Sequence, residues 1–513
     1  MGTSNTEAMK MLLSKKANVN AATAEDGATP LHVVAQEGSV DAAKLLLDNG
    51  ADVDATEKHG ATPLRIAAQH GHMDIMKLLL DHGADVNATD HNLTTPLFST
   101  IHNEKIDALK LLLDHEADIN AQRVTGATPV RVAAEAGNAE ITRILLSRNA
   151  DVNRADIRGI GALHVAVHEG HSEVTKILVA NGADINAADG DGDTPLHLAA
   201  ARHDTDELKL LLNHGAKASV ANNNNITPLH VAVHGDNDEA VKLLLEKKAD
   251  VNAADDNGDT PVHMAVLMDH VNQLRQLLNS RPNVEVRRYT GATPLFIAAE
   301  KGNMRALTML LDCNADINAT NANNMTPLHV AANKGHTAVV KLLLARNANV
   351  NAVDDDGDTP LLLAIAFDHL EVVKLLLASN ADFNLPRCTG ATPVYIAAEQ
   401  GRREALNLLL ATDADVNATD KGNRTALHIA VYLNHTEIVK SLLDSRADVN
   451  FVGKNGMTAL HIAAGKGHVE ITRLLLDHNA DTGITDDEGN TALALARENS
   501  KTEVAKLLMQ KQK

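Results

Sequence analysis

NANNMTPLHVAANKGHTAVVKLLLARNANVNAV, from Asn321 to Val353, carries the pattern on which the whole chain is built. Its core, Thr326-Pro327-Leu328-His329, has counterparts at a constant step in both directions, at Thr29, Thr62, Thr95, Thr128, Thr194, Thr227, Thr260, Thr293, Thr359, Thr392, Thr425, Thr458 and Thr491, with Gly161 in the one register that lacks the threonine. Fifteen registers follow one another without an insertion.

Each register reads as two helices and a turn. Thr326 is placed to cap a helix starting at Pro327, where a missing N–H costs nothing, and Leu328, Val330, Ala331 and Ala332 supply its compact apolar face. After Gly335 and His336, the residues Val339, Val340, Leu342, Leu343 and Leu344 give a second helix with an apolar stripe at spacings of three and four. Asn347 stands where that helix must end with positive φ, and the polar run that follows leads through a hairpin to the next Thr-Pro. One such unit cannot bury its own apolar face, so it must stack on its neighbours.

A period of about 33 residues carrying T-P-L-H-x-A resembles the ankyrin repeat, and the resemblance covers practically the whole chain. It implies an all-α repeat solenoid of stacked helix-turn-helix units with β-hairpin or turn fingers. The layout expected is a partial repeat over 1–23, fourteen repeats over 24–486 and a capping repeat over 487–513. It implies further that partner proteins bind the concave side, made of the fingertips and the exposed edge of each first helix.

The chain has 513 residues, with 47 Lys and Arg against 67 Asp and Glu, for a formal charge of −20. That balance argues against nucleic acid, where a basic stripe is the expected footprint, and favours a cationic protein or peptide as partner. With no Trp, three Tyr and five Phe, the core falls to Leu, Val, Ile and Ala. No apolar run reaches the length of a membrane span and no apolar leader precedes the repeats, so a cytoplasmic monomer is expected. Cys313 and Cys388 lie more than two repeats apart and are expected as reduced thiols.

At the start, Met1-Gly2-Thr3-Ser4-Asn5-Thr6 matches a short myristoylation pattern, although one acyl chain alone binds membranes only marginally. Glu7 to Leu13 aligns with the second helix of a repeat whose first half is missing, so a longer parent sequence is expected upstream. The last register carries Arg497, Glu498, Asn499, Ser500 and Lys501 where earlier ones have small or apolar residues, the polar face expected of a cap.

Departures from the pattern are informative. Gly161-Ala162 lacks the Thr-Pro start, so that helix loses its side-chain cap, at about 1 kcal/mol. Glu116, Lys248, Arg281, Asp413 and Arg446 occupy the position of positive φ that elsewhere is Gly or Asn. Residues 222–320 and 321–419 align as duplicated blocks in which Asp269 and Asp368 replace the glycine after the first helix and the next fingertip opens with Arg288-Tyr-Thr or Arg387-Cys-Thr. Glu104 followed by Arg123-Val-Thr repeats the theme. These arginines are open to two readings, a salt bridge between fingertips (Asp259 to Arg288, Asp358 to Arg387) or direct ligand contact.

Carried onto this chain, the family's binding surface falls on Leu267, Met268, Tyr289, Phe367, Tyr432 and Leu433, flanked by Arg287, Arg288 and Arg387. Aromatic and arginine side chains of this kind dominate binding energy at interfaces. Phe98, Phe296 and Tyr395 occupy the histidine slot of T-P-L-H and are expected as packing. A second candidate surface is the acidic fingertips: Asp189, Asp191 and Asp193; Asp255, Asp256 and Asp259; Asp354, Asp355, Asp356 and Asp358. They could receive a basic peptide, but a solvated turn is the default reading.

Calcium is not expected at Asp189, because the twelfth position of an EF-hand loop would fall on Ala200 rather than a glutamate. Of the 26 histidines, eight fill the T-P-L-H slot and seven more follow the inter-helix turn, which makes them framework groups. No metal, phosphate-binding or nucleophile motif appears, so neither cofactor nor catalysis is expected. The function expected is a non-catalytic interaction scaffold. The alternative is the repeat arm of a larger protein whose effector domain lies upstream.

Overall fold

The computed structural model describes residues 2–203 and 205–511, with side chains from Thr6 onward. The acylation pattern at the chain start therefore falls largely outside the described side chains. The described residues form 31 α-helices, arranged as the repeating pairs that the period predicts. The chain divides into two compact units, Met1–Asp256 and Asn257–Lys513.

Within the second unit, the repeat around Thr326 shows how the letters make the fold. Thr326 is extended (φ −87°, ψ 168°) and its hydroxyl accepts the N–H of His329, while His329 Nδ1 accepts the N–H of Thr326 at 3.0 Å. Two N–H groups that a helix start leaves without intrahelical partners are satisfied reciprocally. The first helix, Pro327–Lys334, ends at Gly335 with φ 73°, and the second, Thr337–Ala345, runs back beside it. Leu328, Val330, Ala331 and Ala332 are buried, as are Val339, Val340 and Leu343, whereas Leu342 and Leu344 are only half-buried. Each fully buried leucine stabilises the stack by about 2 kcal/mol.

First helices pack on first helices: Pro327–Lys334 lies between Pro294–Lys301 and Pro360–Ala366. Second helices do the same on the other layer, Thr337–Ala345 between Met304–Asp312 and Leu370–Ala378. Side-chain and backbone ladders tie successive repeats. Asn318 Oδ1 accepts the N–H of Asn349 at 2.9 Å, Asn351 that of Asp382 at 2.8 Å, and Asn384 that of Asp415 at 2.9 Å. This ladder explains why the A-D-V-N run recurs.

The first unit, Met1–Asp256, is built in the same way, with Asn87, Asn120 and Asn153 each bonding the backbone of the next repeat. Here Gly161 starts the helix Ala162–Glu169 without a side-chain cap, and His164 holds the turn by accepting the N–H of Gly161 at 3.2 Å. The helix Gly2–Ser14 packs on Val40–Asp48.

Of the two forms expected of the fingers, hairpin or turn, most take the turn. Among the described residues only two isolated antiparallel bridges occur, Thr419 with Thr425 and Thr485 with Thr491. The remaining fingers are tight turns: Asp354 N–H bonds Asp358 O at 3.1 Å, Gly357 N–H bonds Asp354 O at 3.0 Å, and Asp355 N–H bonds Asn323 O of the preceding finger. One backbone bond of that kind between neighbouring fingers is too little to make a regular strand.

Positive φ is adopted by Glu116, Lys248, Arg281 and Arg446, as their position predicts. Asp413 is not among the residues of positive φ, because its second helix, Arg403–Leu410, stops one residue earlier and Thr412 N–H closes the turn on Leu409 O.

Candidate functional site

In Asn257–Lys513, the position eight residues after the threonine is the last residue or the C-cap of the first helix. Met268, Phe367 and Leu433 occupy it, and all three are exposed, Phe367 to 55 %. Other repeats of the same unit place Lys301, Lys334 and Lys466 at this position. Leu267, one residue earlier, is half-buried, and Tyr432 at the same step is 52 % exposed. Tyr289 at a fingertip is 87 % exposed.

Tyr432 forms one wall of a cleft of about 270 Å³ that also involves His428, Met457, Ile462 and Lys466. The ammonium of Lys466 sits 3.7 Å from the centre of the Tyr432 ring, a cation–π contact. The cleft therefore offers an apolar wall and a cationic rim.

The flanking arginines divide. Arg287 is exposed, and it donates to the carbonyls of Gly291 and Thr320. Arg288 and Arg387 are half-buried in salt bridges to Asp259 and Asp358, each 2.9 Å. Of the two readings open in the sequence, the structure shows the bridge between fingertips. Asp269 and Asp368 are not part of it; they pair instead with Asn303 at 2.7 Å and Arg402 at 3.3 Å in the next repeat.

Burial pushes the Asp358 carboxyl up to about 6, against the opposing pull of Arg387 and with Asp354 and Asp356 adding to the rise. Replacing Arg387 with alanine is expected to cost about 1–2 kcal/mol at neutral pH, because a mostly buried carboxylate is left without its cation, and clearly less near pH 5, where the carboxyl is protonated. Urea-unfolding midpoints of wild type and Arg387→Ala at both pH values check this, and an equal loss at each would exclude the pair as the cause.

The acidic fingertips are turn-builders at their first position. Asp189 Oδ1 accepts the N–H groups of Asp191 and Asp193, and Asp354 Oδ1 those of Asp356 and Asp358, all between 2.8 and 3.0 Å. Asp191, Asp355 and Asp356 are exposed. Among the described residues no group of three or more His, Cys, Asp or Glu side chains is placed to hold a metal ion, and no helix is long and apolar enough to cross a membrane. Cys313 and Cys388 are free and exposed.

Phe98, Phe296 and Tyr395 are buried, as expected of packing in the histidine slot. The eight histidines of that slot are buried too. His329 Nε2 donates to Asp358 O of the next finger at 3.0 Å, His428 to Met457 O at 3.1 Å and His461 to Asn490 O at 3.1 Å.

A sequence model described as ankyrin repeats in three copies matches residues 2–90, 88–156, 163–255, 249–321, 295–387, 381–452 and 445–513. The chain belongs to the ankyrin repeat family. Ankyrin repeats are generally protein–protein interaction modules, and the family is typically non-catalytic. Among solved structures, the human ASB11 ankyrin repeat domain is 32% identical over 43% of this chain and 98% of its own, with a TM-score of 0.38. The ankyrin repeat domain of Bcl-3, described as a unique member of the IkappaB protein family, is 31% identical over 43% of this chain and 99% of its own, with a TM-score of 0.40. The comparison with curated proteins returned no match.

Sequence reasoning did not find two features. One is the cleft beside Tyr432, whose walls come from successive ankyrin repeats. The other is the grouping of Arg123, singled out in the sequence, with Arg65 and Arg131 of the histidine slot and with Arg158 of a neighbouring finger, all in Met1–Asp256. Arginine in place of the T-P-L-H histidine was the available signal.

Proposed function

We propose that this ankyrin repeat chain is a non-catalytic scaffold that binds a partner protein or peptide on the concave first-helix and fingertip side of the unit Asn257–Lys513. The observation that carries the reading is the exposure of Met268, Phe367 and Leu433 at a repeat position where other repeats of the unit carry lysine. Exposed apolar side chains at equivalent places mark interaction surfaces, and aromatic anchors supply most of the energy. Tyr432 and its cleft provide a pocket for such an anchor, Tyr289 and Leu267 extend the surface, and Arg287 lies at its rim. Arg288 and Arg387 shape the fingertips through their bridges. Two exposed thiols, Cys313 and Cys388, fit a reducing compartment such as the cytoplasm.

The test is quantitative capture from cell extract by wild type and by the triple variant Met268→Asp, Phe367→Asp, Tyr432→Asp, with circular dichroism confirming that the variant folds. All three side chains are more than a third exposed, so folding is expected to survive. A specific partner should be lost by at least about tenfold, since each truncated hot spot is worth about 1 kcal/mol or more. Equal capture by both chains would refute the assignment of this surface.

A further inference from the structure

Three fingertips open with an arginine two residues before Thr-Gly: Arg123, Arg288 and Arg387. The last two have a carboxylate built in on the preceding finger, Asp259 and Asp358, each 2.9 Å away. At the same step before Arg123 stands Thr94, so the third arginine has lost its counter-ion. Its guanidinium lies over the ring of Phe98, 4.6 Å from the centroid, and among the described residues its side chain makes no ion pair; its Nε is buried without a hydrogen-bond partner. Burial holds its pKa below that of a free arginine, with Asp90 and Glu135 opposing and Arg65 reinforcing the shift.

Arg123 lines a cleft of about 530 Å³ together with Arg65, Gln69, Asn92, Asn103 and Thr125. No carboxylate lines it, in a chain that carries 67 acidic residues. Asp90, the partner of Arg65 at 3.3 Å, is itself buried. Next to the cleft, Arg131 is engaged by Glu135 and Asp156, and Arg158 by Asp156. Arg123 thus stands apart as a half-buried cation without a counter-ion, facing open space lined by the paired Arg65 and by polar side chains none of which is a carboxylate. A guanidinium in that state is matched by a carboxylate, which it grips through two parallel hydrogen bonds.

We propose that this cleft binds the carboxylate side chains of an acidic segment of a partner protein, Arg123 making to that segment the contact that Arg288 and Arg387 make to Asp259 and Asp358. Arg65, its charge balanced by Asp90, adds guanidinium hydrogen-bond donors to the cleft wall, and the exposed Val124 at the rim gives an apolar neighbour of the acidic group a surface to rest on. The site lies in Met1–Asp256 and is independent of the apolar surface proposed on Asn257–Lys513. It runs against the net charge of −20, which by itself favours basic partners.

The full-length chain is titrated into a fluorescein-labelled peptide of sequence Gly-Glu-Glu-Leu-Glu-Glu-Gly and followed by fluorescence anisotropy, with the glutamine analogue and a phosphoserine analogue beside it. The glutamate peptide should bind at least about tenfold more tightly than the glutamine peptide. Arg123→Gln should weaken it by a similar factor. Thr94→Asp, which restores the internal carboxylate found in the sister repeats, should abolish binding while leaving the urea-unfolding midpoint at or above that of wild type. If Thr94→Asp does not fold, Arg123→Gln decides alone. The proposal is overturned if neither peptide binds, if the glutamine peptide binds equally, if either folded variant keeps wild-type affinity, or if only the phosphoserine peptide binds, which would make the site one for phosphate.

Discussion

Lowering the pH from 7.5 to 5.5 is expected to cost the unit Asn257–Lys513 about 2–3 kcal/mol of stability, because three of its buried histidines work only as neutral rings. His329, His428 and His461 each accept the N–H of the preceding threonine at Nδ1, at 3.0–3.3 Å, and each donates from Nε2 to a carbonyl of the next finger. A carbonyl can only accept and an amide N–H can only donate, so the proton sits on Nε2. A second proton on Nδ1 would break the cap bond. Burial lowers the pKa of all three below the ordinary histidine value, with the bond to the carbonyl opposing.

The unfolded chain therefore takes up protons as the pH falls through about 6.5, before the folded unit does, and stability present above that pH is lost below it. Each ring contributes about 1 kcal/mol of loss at pH 5.5. Asp358 acts with the opposite sign. Its carboxyl, raised to about 6, gains a proton in the folded state first and offsets roughly one histidine. Urea-unfolding midpoints at the two pH values measure the net effect. Replacing His329 by phenylalanine, the residue that fills the slot at Phe296, should remove about a third of the histidine contribution. A midpoint unchanged or higher at pH 5.5 would refute the neutral-ring account.

Gly335→Asp is expected to destabilise the same unit by about 2–4 kcal/mol, and His369→Arg made with it should recover at least about 1 kcal/mol. Gly335 adopts φ 73°, where a side chain is strained, and a Cβ there would overlap the ring of His369. That ring cannot simply move, because its Nε2 donates at 2.8 Å to Asn333 O, one of the carbonyls left over at the end of the first helix. The same pairing recurs at Gly302, where an added Cβ would lie 2.9 Å from His336 Nδ1.

One repeat on, the protein has solved the position differently. Asp368 stands at φ 65° in place of glycine, and the next repeat supplies Arg402 in place of histidine. Arg402 reaches the free carbonyl of Ala366 at 3.2 Å and pairs with Asp368 at 3.3 Å, doing the work of the histidine and neutralising the aspartate. Glycine with histidine, and aspartate with arginine, are thus two matched solutions. A double-mutant cycle over Gly335→Asp and His369→Arg, measured by urea unfolding, reads the coupling directly. Strict additivity of the two changes would show that the positions are independent.

The repeat period, the Thr-Pro helix starts, the paired helices and the left-handed stops at Asn347 or Arg446 were legible in the letters because each rests on residues within one repeat, where propensity and capping act over three or four positions. The framework role of His329 was legible for the same reason, since recurrence at a fixed step identifies a structural group. Other features depended on how one repeat is set against the next. The letters left the bridge of Arg288 to Asp259 as one of two readings, and only the stacking of repeats, which brings the two to within 2.9 Å, decided for it. Between the hairpin and the turn expected of the fingers the stack selects mostly turns, Asp413 escapes strain because its helix stops early, and the cleft at Tyr432 needs walls from successive repeats. Most of these outcomes are distances across a repeat boundary. Hydrogen bonds within a turn follow from local sequence, but the reach of a side chain to its neighbour is set by the packing of buried leucine, valine and alanine between helices, and that packing exists only in the assembled stack.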